Sequence, residues 1–108
     1  MTDAQEIVER QLAAYNDHDM DAFVATYADD VRVRLRDGTY LRGPDALRER
    51  YAAQFAEGRC QAEIVGRLTE GEWVVDHEIA HGLGDVPLRV LVAYRVRAGL
   101  IDRVNFLG

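Results

Sequence analysis

Apolar residues in the first part of the chain recur every three or four positions. They are Ala4, Ile7, Val8, Leu12 and Tyr15. This spacing predicts an amphipathic helix with one buried face. Thr2 followed three residues later by Gln5 matches a capping box, so the helix is expected to begin at Thr2.

Two further helices are predicted from the residues that begin and end them. Asp19 is expected to cap a second helix, with Phe23 and Tyr27 four residues apart on one face. A third helix is expected to begin at Gly43-Pro44-Asp45, because proline suits the first helical position, and to end near Gly58. Its buried stripe is predicted to comprise Leu47, Tyr51 and Phe55.

The remaining segments alternate between apolar and polar residues, which is typical of strands. Residues 31–35 lead to a hairpin turn at Asp37-Gly38, and residues 39–42 return from it. Further strands are predicted at residues 61–69, 72–81, 88–97 and 100–107. The order predicts an α+β fold in which three N-terminal helices pack on one face of a curved antiparallel or mixed sheet. A twisted sheet covered in this way forms a cone with a pocket.

Composition narrows the possible partners and compartments. The 108 residues predict a single domain, and 13 basic against 19 acidic residues give a net charge of −6. Neither nucleic acid nor a membrane is therefore an expected partner. Cys60 is the single cysteine, which predicts no disulfide and no thiolate metal site. Without an export signal at the N-terminus, a cytoplasmic location is expected.

Several motifs resemble those of a known superfamily. They are Asn16-Asp17-His18-Asp19, Tyr27-Ala28-Asp29-Asp30-Val31, Leu41-Arg42-Gly43-Pro44-Asp45-Ala46-Leu47 and Gly99-Leu100-Ile101-Asp102-Arg103-Val104. Together with the element order, they make the chain similar to the nuclear transport factor 2-like superfamily, in its polyketide-cyclase-like (SnoaL-like) and ketosteroid-isomerase-like branches. The resemblance implies a cystatin-like cone with a deep pocket, and usually a homodimer. This scaffold carries isomerases, cyclases, dehydratases, epoxide hydrolases and non-catalytic binders, so it implies no single reaction.

The catalytic residues of ketosteroid isomerases have no counterparts in this sequence. The resemblance places their helix-1 tyrosine at Gln11, their general base at Leu35 and their protonated aspartate at about Val92. Removing a proton beside a ketone requires a base and donors to the oxygen, and these positions supply neither. The mechanism of those isomerases is therefore not expected, although other residues could transfer protons.

The strand at residues 72–81 carries the main candidate for that chemistry. Its alternation places five residues on one face: Trp73, Val75, His77, Ile79 and His81. We assign this more apolar face to the cone interior, which makes His77 the expected acid–base group and His81 a rim residue. Alternatively, His77 is a structural residue hydrogen-bonded to a core tyrosine. A one-residue bulge would exchange the faces and bring Asp76 and Glu78 into the cavity.

Helix 1 carries two further candidates, Tyr15 and Gln11. The Tyr15 phenol can donate to a developing oxyanion or simply cover the core. Gln11 needs a polar partner on its apolar stripe, either a substrate carbonyl, a water or a backbone group. The predicted pocket lining is Phe23, Tyr27, Leu35, Tyr51, Phe55, Trp73, Val92 and Tyr94.

No cofactor or metal is predicted. His77 and His81 are four residues apart, which on a strand is about 13 Å and too far for one ion. His18 precedes a helix cap and is expected to be exposed.

Two classes of function remain open. The first is an enzyme that isomerises, cyclises or dehydrates an apolar oxygenated substrate by proton transfer. The second is a non-catalytic binding or dimerisation module with the same pocket. An open pocket with unpaired polar groups favours the enzyme, whereas a cavity filled by Trp73, Phe55 and Tyr94 favours the module.

Overall fold

The structure, a computed structural model, describes residues 3–108. The helices are α1 (Asp3–Asn16), α2 (Met20–Val24) and α3 (Gly43–Glu57). The strands are β1 (Tyr27–Arg34), β2 (Tyr40–Arg42), β3 (Gln61–Glu70), β4 (Trp73–His81), β5 (Leu88–Arg97) and β6 (Leu100–Phe106). None of the described helices is long and apolar enough to cross a membrane.

The strands form one six-stranded sheet in the order β2-β1-β6-β5-β4-β3. β1 and β6 are parallel, and all the other neighbouring strands are antiparallel. Helices α1 and α3 pack on one face of this sheet, here called the covered face, and the opposite face is called the open face. The predicted α+β fold, with helices on a curved mixed sheet, is confirmed.

The residues predicted to begin or end α2 and α3 are found at the ends of these helices. The Asp19 carboxylate accepts a hydrogen bond from the Ala22 amide at 3.1 Å, which satisfies a free N–H of α2. Pro44 lies in the first turn of α3, and Gly58 ends that helix at a left-handed φ of 69°. The predicted capping box includes Thr2, which lies outside the described residues.

The sequence prediction for Tyr27 is wrong, because this residue begins β1 rather than continuing α2. Its partner in the sheet is Ile101 of β6, and the pairing shifts register before Arg32. Pairing with a strand far along the chain therefore overrides the local helical pattern. The rings of Phe23 and Tyr27 still pack edge to face, with centroids 5.2 Å apart.

An aromatic cluster joins the three helices above the covered face. Phe23 lies at its centre, with ring centroids 6.1 Å from Tyr15, 5.1 Å from Tyr51 and 5.3 Å from Phe55. Edge-on aromatic pairs of this kind each contribute about 0.5–1.5 kcal/mol beyond their buried area. The cluster therefore fixes α1 against α3, and these two helices form one wall of the pocket described next.

Candidate functional site

A cavity of about 320 Å³ lies between the helices and the covered face. Helix α1 contributes Gln11 and Tyr15 to its wall, and α3 contributes Tyr51. The sheet contributes Glu78 from β4 and Tyr94 from β5. The walls are thus built from rigid elements, with several polar groups placed on otherwise apolar surfaces.

The face of β4 that lines this cavity is the opposite of the one predicted. Glu78 pairs with Val90 and Asp76 with Val92, and both pairs lie on the covered face. His77 pairs with Leu91 on the open face, so its predicted position inside the cavity is wrong. The register between β4 and β5 is continuous, so no bulge in this pairing exchanges the faces.

The physical reason is that both faces of this sheet carry apolar residues. Leu68 is 75% exposed and Leu91 43% exposed on the open face, where Trp73 also lies. Counting apolar residues along β4 therefore could not tell the interior from the exterior.

The remaining predicted lining residues divide into two groups. Leu35, Tyr51 and Tyr94 line the cavity, as do the candidates Gln11 and Tyr15. The prediction is wrong for Trp73, which lies on the open face, and for Phe23, Tyr27, Phe55 and Val92, which are buried in the core away from the cavity surface. The side chains of these four core residues fill the space between the helices and the sheet instead.

Glu78 is the candidate acid–base residue of the cavity. Its carboxyl has no hydrogen-bond or ion-pair partner among the described residues. Burial, and after it the charge of Asp76, raises the pKa of Glu78 to about 7. Near neutral pH the group is therefore present in both forms, as a general base or a general acid requires.

Asp76, two residues away on the same face, has a cation as its partner. It is 1% exposed, and Arg67 donates two hydrogen bonds to its carboxylate, at 2.6 and 3.0 Å. Arg67 also pairs with Glu9 of α1. Arg67, the cation near these two carboxyls, is thus bound to Asp76. Glu78 has no cation as a partner among the described residues.

The cavity also contains hydrogen-bond donors. The hydroxyls of Tyr51 and Tyr94 have no partner among residues 3–108. Burial raises the pKa of Tyr51 to about 12 and that of Tyr94 well above its usual value, and the charge of Glu78 adds to both effects. Both phenols therefore stay protonated and can donate a hydrogen bond to a bound oxygen.

Tyr15 and Gln11 already have protein partners. The Tyr15 hydroxyl donates to Gln54 Oε1 at 3.1 Å, and Gln11 Nε2 donates to the Tyr27 hydroxyl at 3.1 Å. Burial also raises the pKa of Tyr15, so this phenol is not a base. Gln11 retains its amide oxygen and one N–H for other contacts.

The other two histidines lie outside the cavity. His18 was expected to be exposed but is half-buried, with Nε2 2.7 Å from the Cys60 carbonyl oxygen. His81 Nε2 lies 3.1 Å from a Glu63 carboxylate oxygen. Within the part of the chain that the structure describes, no three His, Cys, Asp or Glu residues are grouped closely enough to hold a metal ion.

Three helices on a curved six-stranded sheet, with a cavity between them, define a cystatin-like fold of the nuclear transport factor 2-like type. Residues 8–104 match the SnoaL-like domain, and the chain belongs to this family. No curated protein matches the sequence.

Solved structures show the same fold. An uncharacterised cystatin-fold protein from Novosphingobium aromaticivorans is 26% identical, with a TM-score of 0.84, and the match covers 100% of this chain and 99% of that one. A candidate polyketide cyclase from Sinorhizobium meliloti is 19% identical, with a TM-score of 0.83 and coverage of 99% and 100%. A Mycobacterium tuberculosis protein, in complex with estradiol-17β-hemisuccinate, is 20% identical, with a TM-score of 0.87 and coverage of 100% and 95%.

Proposed function

We propose that this protein is an acid–base enzyme that transfers a proton on a small, largely apolar, oxygenated substrate, with Glu78 as the proton acceptor. One observation carries the proposal: the unpartnered Glu78 carboxyl, with its pKa near 7, shares a cavity with two unpartnered phenols. A carboxyl and phenols in a mainly apolar pocket are the groups that enolisation requires.

The chemistry follows from these positions. The Glu78 carboxylate takes a proton from a carbon next to a carbonyl, and the electron pair of the C–H bond moves to the carbonyl oxygen. Tyr51 or Tyr94 donates a hydrogen bond to that oxygen as it becomes negative. The Glu78 carboxylic acid then returns the proton, either to a different carbon, which is an isomerisation, or to a departing hydroxyl, which is a dehydration. If the enolate carbon attacks a second carbonyl of the same molecule instead, a C–C bond forms, the Glu78 proton passes to the new alkoxide, and the product is cyclised.

The two candidates on α1 have supporting parts in this proposal. Gln11 offers its free amide groups to a second oxygen of the substrate, and Tyr15 holds the Gln54 side chain at the cavity wall. His77 has no part, because its side chain lies on the open face.

The second candidate function is a non-catalytic binder of the same kind of molecule. It is favoured by the absence of the ketosteroid-isomerase residues, since Gln11, Leu35 and Val92 occupy their places. The steroid ester bound to the Mycobacterium tuberculosis protein supports a small-molecule ligand under either candidate.

Exchange of the α-protons of β-tetralone for deuterium, followed by NMR in D₂O, separates the two functions. We expect the wild type to accelerate exchange over buffer and Glu78→Gln to lose at least about 100-fold of that acceleration. His77→Gln is the matched control and is expected to exchange like the wild type. A wild type that binds β-tetralone without accelerating exchange would favour the binder, and a fully active Glu78→Gln would exclude Glu78 as the base.

We further propose that the open face joins two copies of the chain. Four arginines lie in register across β2, β1, β6 and β5 on this face: Arg42, Arg32, Arg103 and Arg95. Glu70 lies in the same row at the β3 edge, with exposed Leu68 nearby. A two-fold axis parallel to the strands would place the acidic edge of one copy over the arginine row of the other.

Sedimentation equilibrium tests this dimer. The wild type is expected to have twice the chain mass, and Leu68→Arg with Leu91→Arg is expected to have the mass of one chain. Val86→Arg, at a residue that is 77% exposed in the β4–β5 connection, is the control and should leave the mass unchanged. A monomeric wild type would refute the proposed dimer.

A further inference from the structure

Two arginines stand at the mouth of the cavity. Arg36, in the β1–β2 turn, and Arg50, on α3, both line the cavity and are both exposed to solvent. The lining residues Gln11, Tyr15 and Tyr94 are buried, whereas Leu83 and Leu88 are exposed like the arginines. The cavity thus opens to solvent beside two permanent positive charges.

Neither guanidinium has a salt-bridge partner within residues 3–108. Asp37 also lines the cavity, and its carboxylate accepts hydrogen bonds from the Thr39 amide at 3.0 Å and the Thr39 hydroxyl at 2.7 Å. Both bonds reach Oδ1, and Asp37 forms no salt bridge with either arginine. With two arginines and one aspartate, the mouth keeps a net positive charge in a chain whose net charge is −6.

Arg50 also connects the mouth to the interior. Its guanidinium carbon lies 5.9 Å from the centroid of the Tyr51 ring, which is itself part of the cavity wall. Stacking of this kind orients the guanidinium over an apolar surface while its N–H groups remain available.

The charge inside the cavity has the opposite sign. Glu78 faces the cavity without a cation, and the Arg67 charge nearby is shared by Asp76 and Glu9. A negatively charged group is therefore repelled from the interior and attracted to the mouth, which fixes the direction in which an acidic ligand enters.

Building on the proposed function, we infer that the substrate is an amphipathic acid. Its carboxylate binds Arg36 and Arg50 at the mouth, and its apolar body, with the reacting carbonyl, extends toward Glu78. With its acid group bound at the mouth, the substrate has its carbonyl end next to Glu78 and the phenols, away from solvent. Binding of the acid end, which takes no part in the reaction, would position the reacting end.

Isothermal titration with a matched pair of ligands tests this inference. The probes are estradiol hemisuccinate and its methyl ester, which differ in charge and by a single methyl group. The wild type is expected to bind the acid about three- to tenfold more tightly than the ester at low ionic strength, a range typical of charge-assisted contacts near solvent. Added salt should reduce this preference, because exposed charges are screened.

Variants of the two arginines test whether their charge causes the preference for the acid over the ester. Arg36→Gln with Arg50→Gln is expected to bring the ratio of the two affinities to about one and to leave ester binding unchanged. Arg10→Gln, an exposed arginine of α1 outside the cavity lining, is the control and should keep the wild-type ratio.

The outcomes distinguish this inference from the proposed function. Equal binding of acid and ester by the wild type, or a preference that survives in the double variant, would overturn the inference while the pocket keeps its ligand. If neither probe binds, the inference is overturned as well, whereas the proposed function is decided separately by the β-tetralone exchange.

Discussion

Asp76 and Glu78 lie two residues apart on the same face of β4, and Arg67 binds only the first of them. The charge of Asp76 is therefore compensated and fixed, while Glu78 remains unpaired beside it in a cavity. Two like residues thus have different surroundings, an ion pair for Asp76 and, for Glu78, an open cavity with no cation partner among the described residues.

Replacing Asp76 by Asn should separate the two causes of the raised pKa of Glu78. Without the neighbouring negative charge, this pKa is expected to fall below about 7, as measured by NMR of the side-chain carboxyl carbon. Arg67 keeps only Glu9 as a partner, so the free energy of unfolding should also fall, by about 2–4 kcal/mol. An unchanged titration midpoint would show that burial alone raises the pKa.

The raised pKa of Glu78 also makes stability depend on pH. Because folding raises this pKa from about 4.5 to about 7, the folded protein binds the proton more tightly and loses stability as the pH rises between these values. Glu78→Gln removes this penalty and should raise the free energy of unfolding at pH 8 by roughly 1–3 kcal/mol relative to its effect near pH 4.

Urea unfolding at both pH values measures the difference. Glu49→Gln, at an exposed residue of α3, is the control and should show none. A pH-independent effect of Glu78→Gln would contradict the raised pKa.

The Tyr51 and Tyr94 hydroxyls are expected to act at the substrate oxygen. Replacing both by Phe should lower the rate of β-tetralone exchange by about 10- to 100-fold, mainly in kcat, because the lost donors stabilise charge that develops during the reaction. Tyr40→Phe, at a residue of β2 that is 51% exposed and outside the cavity lining, should not change the rate. Full activity of the double variant would remove the phenols from the mechanism.

Gly82 follows β4 and precedes Leu83, which lines the cavity. Its φ is 79°, and an added Cβ would lie 1.9 Å from the Arg59 carbonyl oxygen. Gly82→Ala must therefore displace backbone and is expected to lower the free energy of unfolding by more than about 2 kcal/mol.

Two other glycines serve as controls in the same thermal or urea unfolding series. Gly71 has a φ of 58° with open space around it, so its Ala variant should cost only about 1 kcal/mol of backbone strain. Gly84 has neither a left-handed φ nor a close neighbour, and Gly84→Ala should be nearly neutral. Equal effects at all three positions would contradict the close approach at Gly82.

The helix ends could be predicted from the sequence where local contacts determine them. The Asp19 cap, Pro44, and Gly58 mark helix ends through contacts within a few residues, and they can be recognised without knowing the rest of the fold. The start of β1 could not be recognised in this way, because Tyr27 joins the sheet by pairing with Ile101, 74 residues later in the chain.

The inward face of β4 was predicted wrongly for the same reason, because strand pairing cannot be recognised from the local sequence. The buried face of β5 carries Val90, Val92 and Tyr94, and these residues pair with Glu78, Asp76 and Val74. The position of Glu78 thus follows from the register of the hairpin, and the six residues between β4 and β5 do not reveal that register by themselves. The candidate site was therefore half predictable: Gln11, Tyr15, Tyr51 and Tyr94 came from patterns, and Glu78 needed the fold.

The position of β6 has a consequence for synthesis of the protein. β6 lies between β1 and β5, so the β1–β2 hairpin has no other link within the described sheet to β3, β4 and β5. While a ribosome is still making residues 100–106, the two parts of the sheet lack the strand that joins them. The nascent chain must therefore keep two unpaired strand edges from aggregating until β6 emerges, and conditions that slow synthesis of β6 should make it dependent on chaperones.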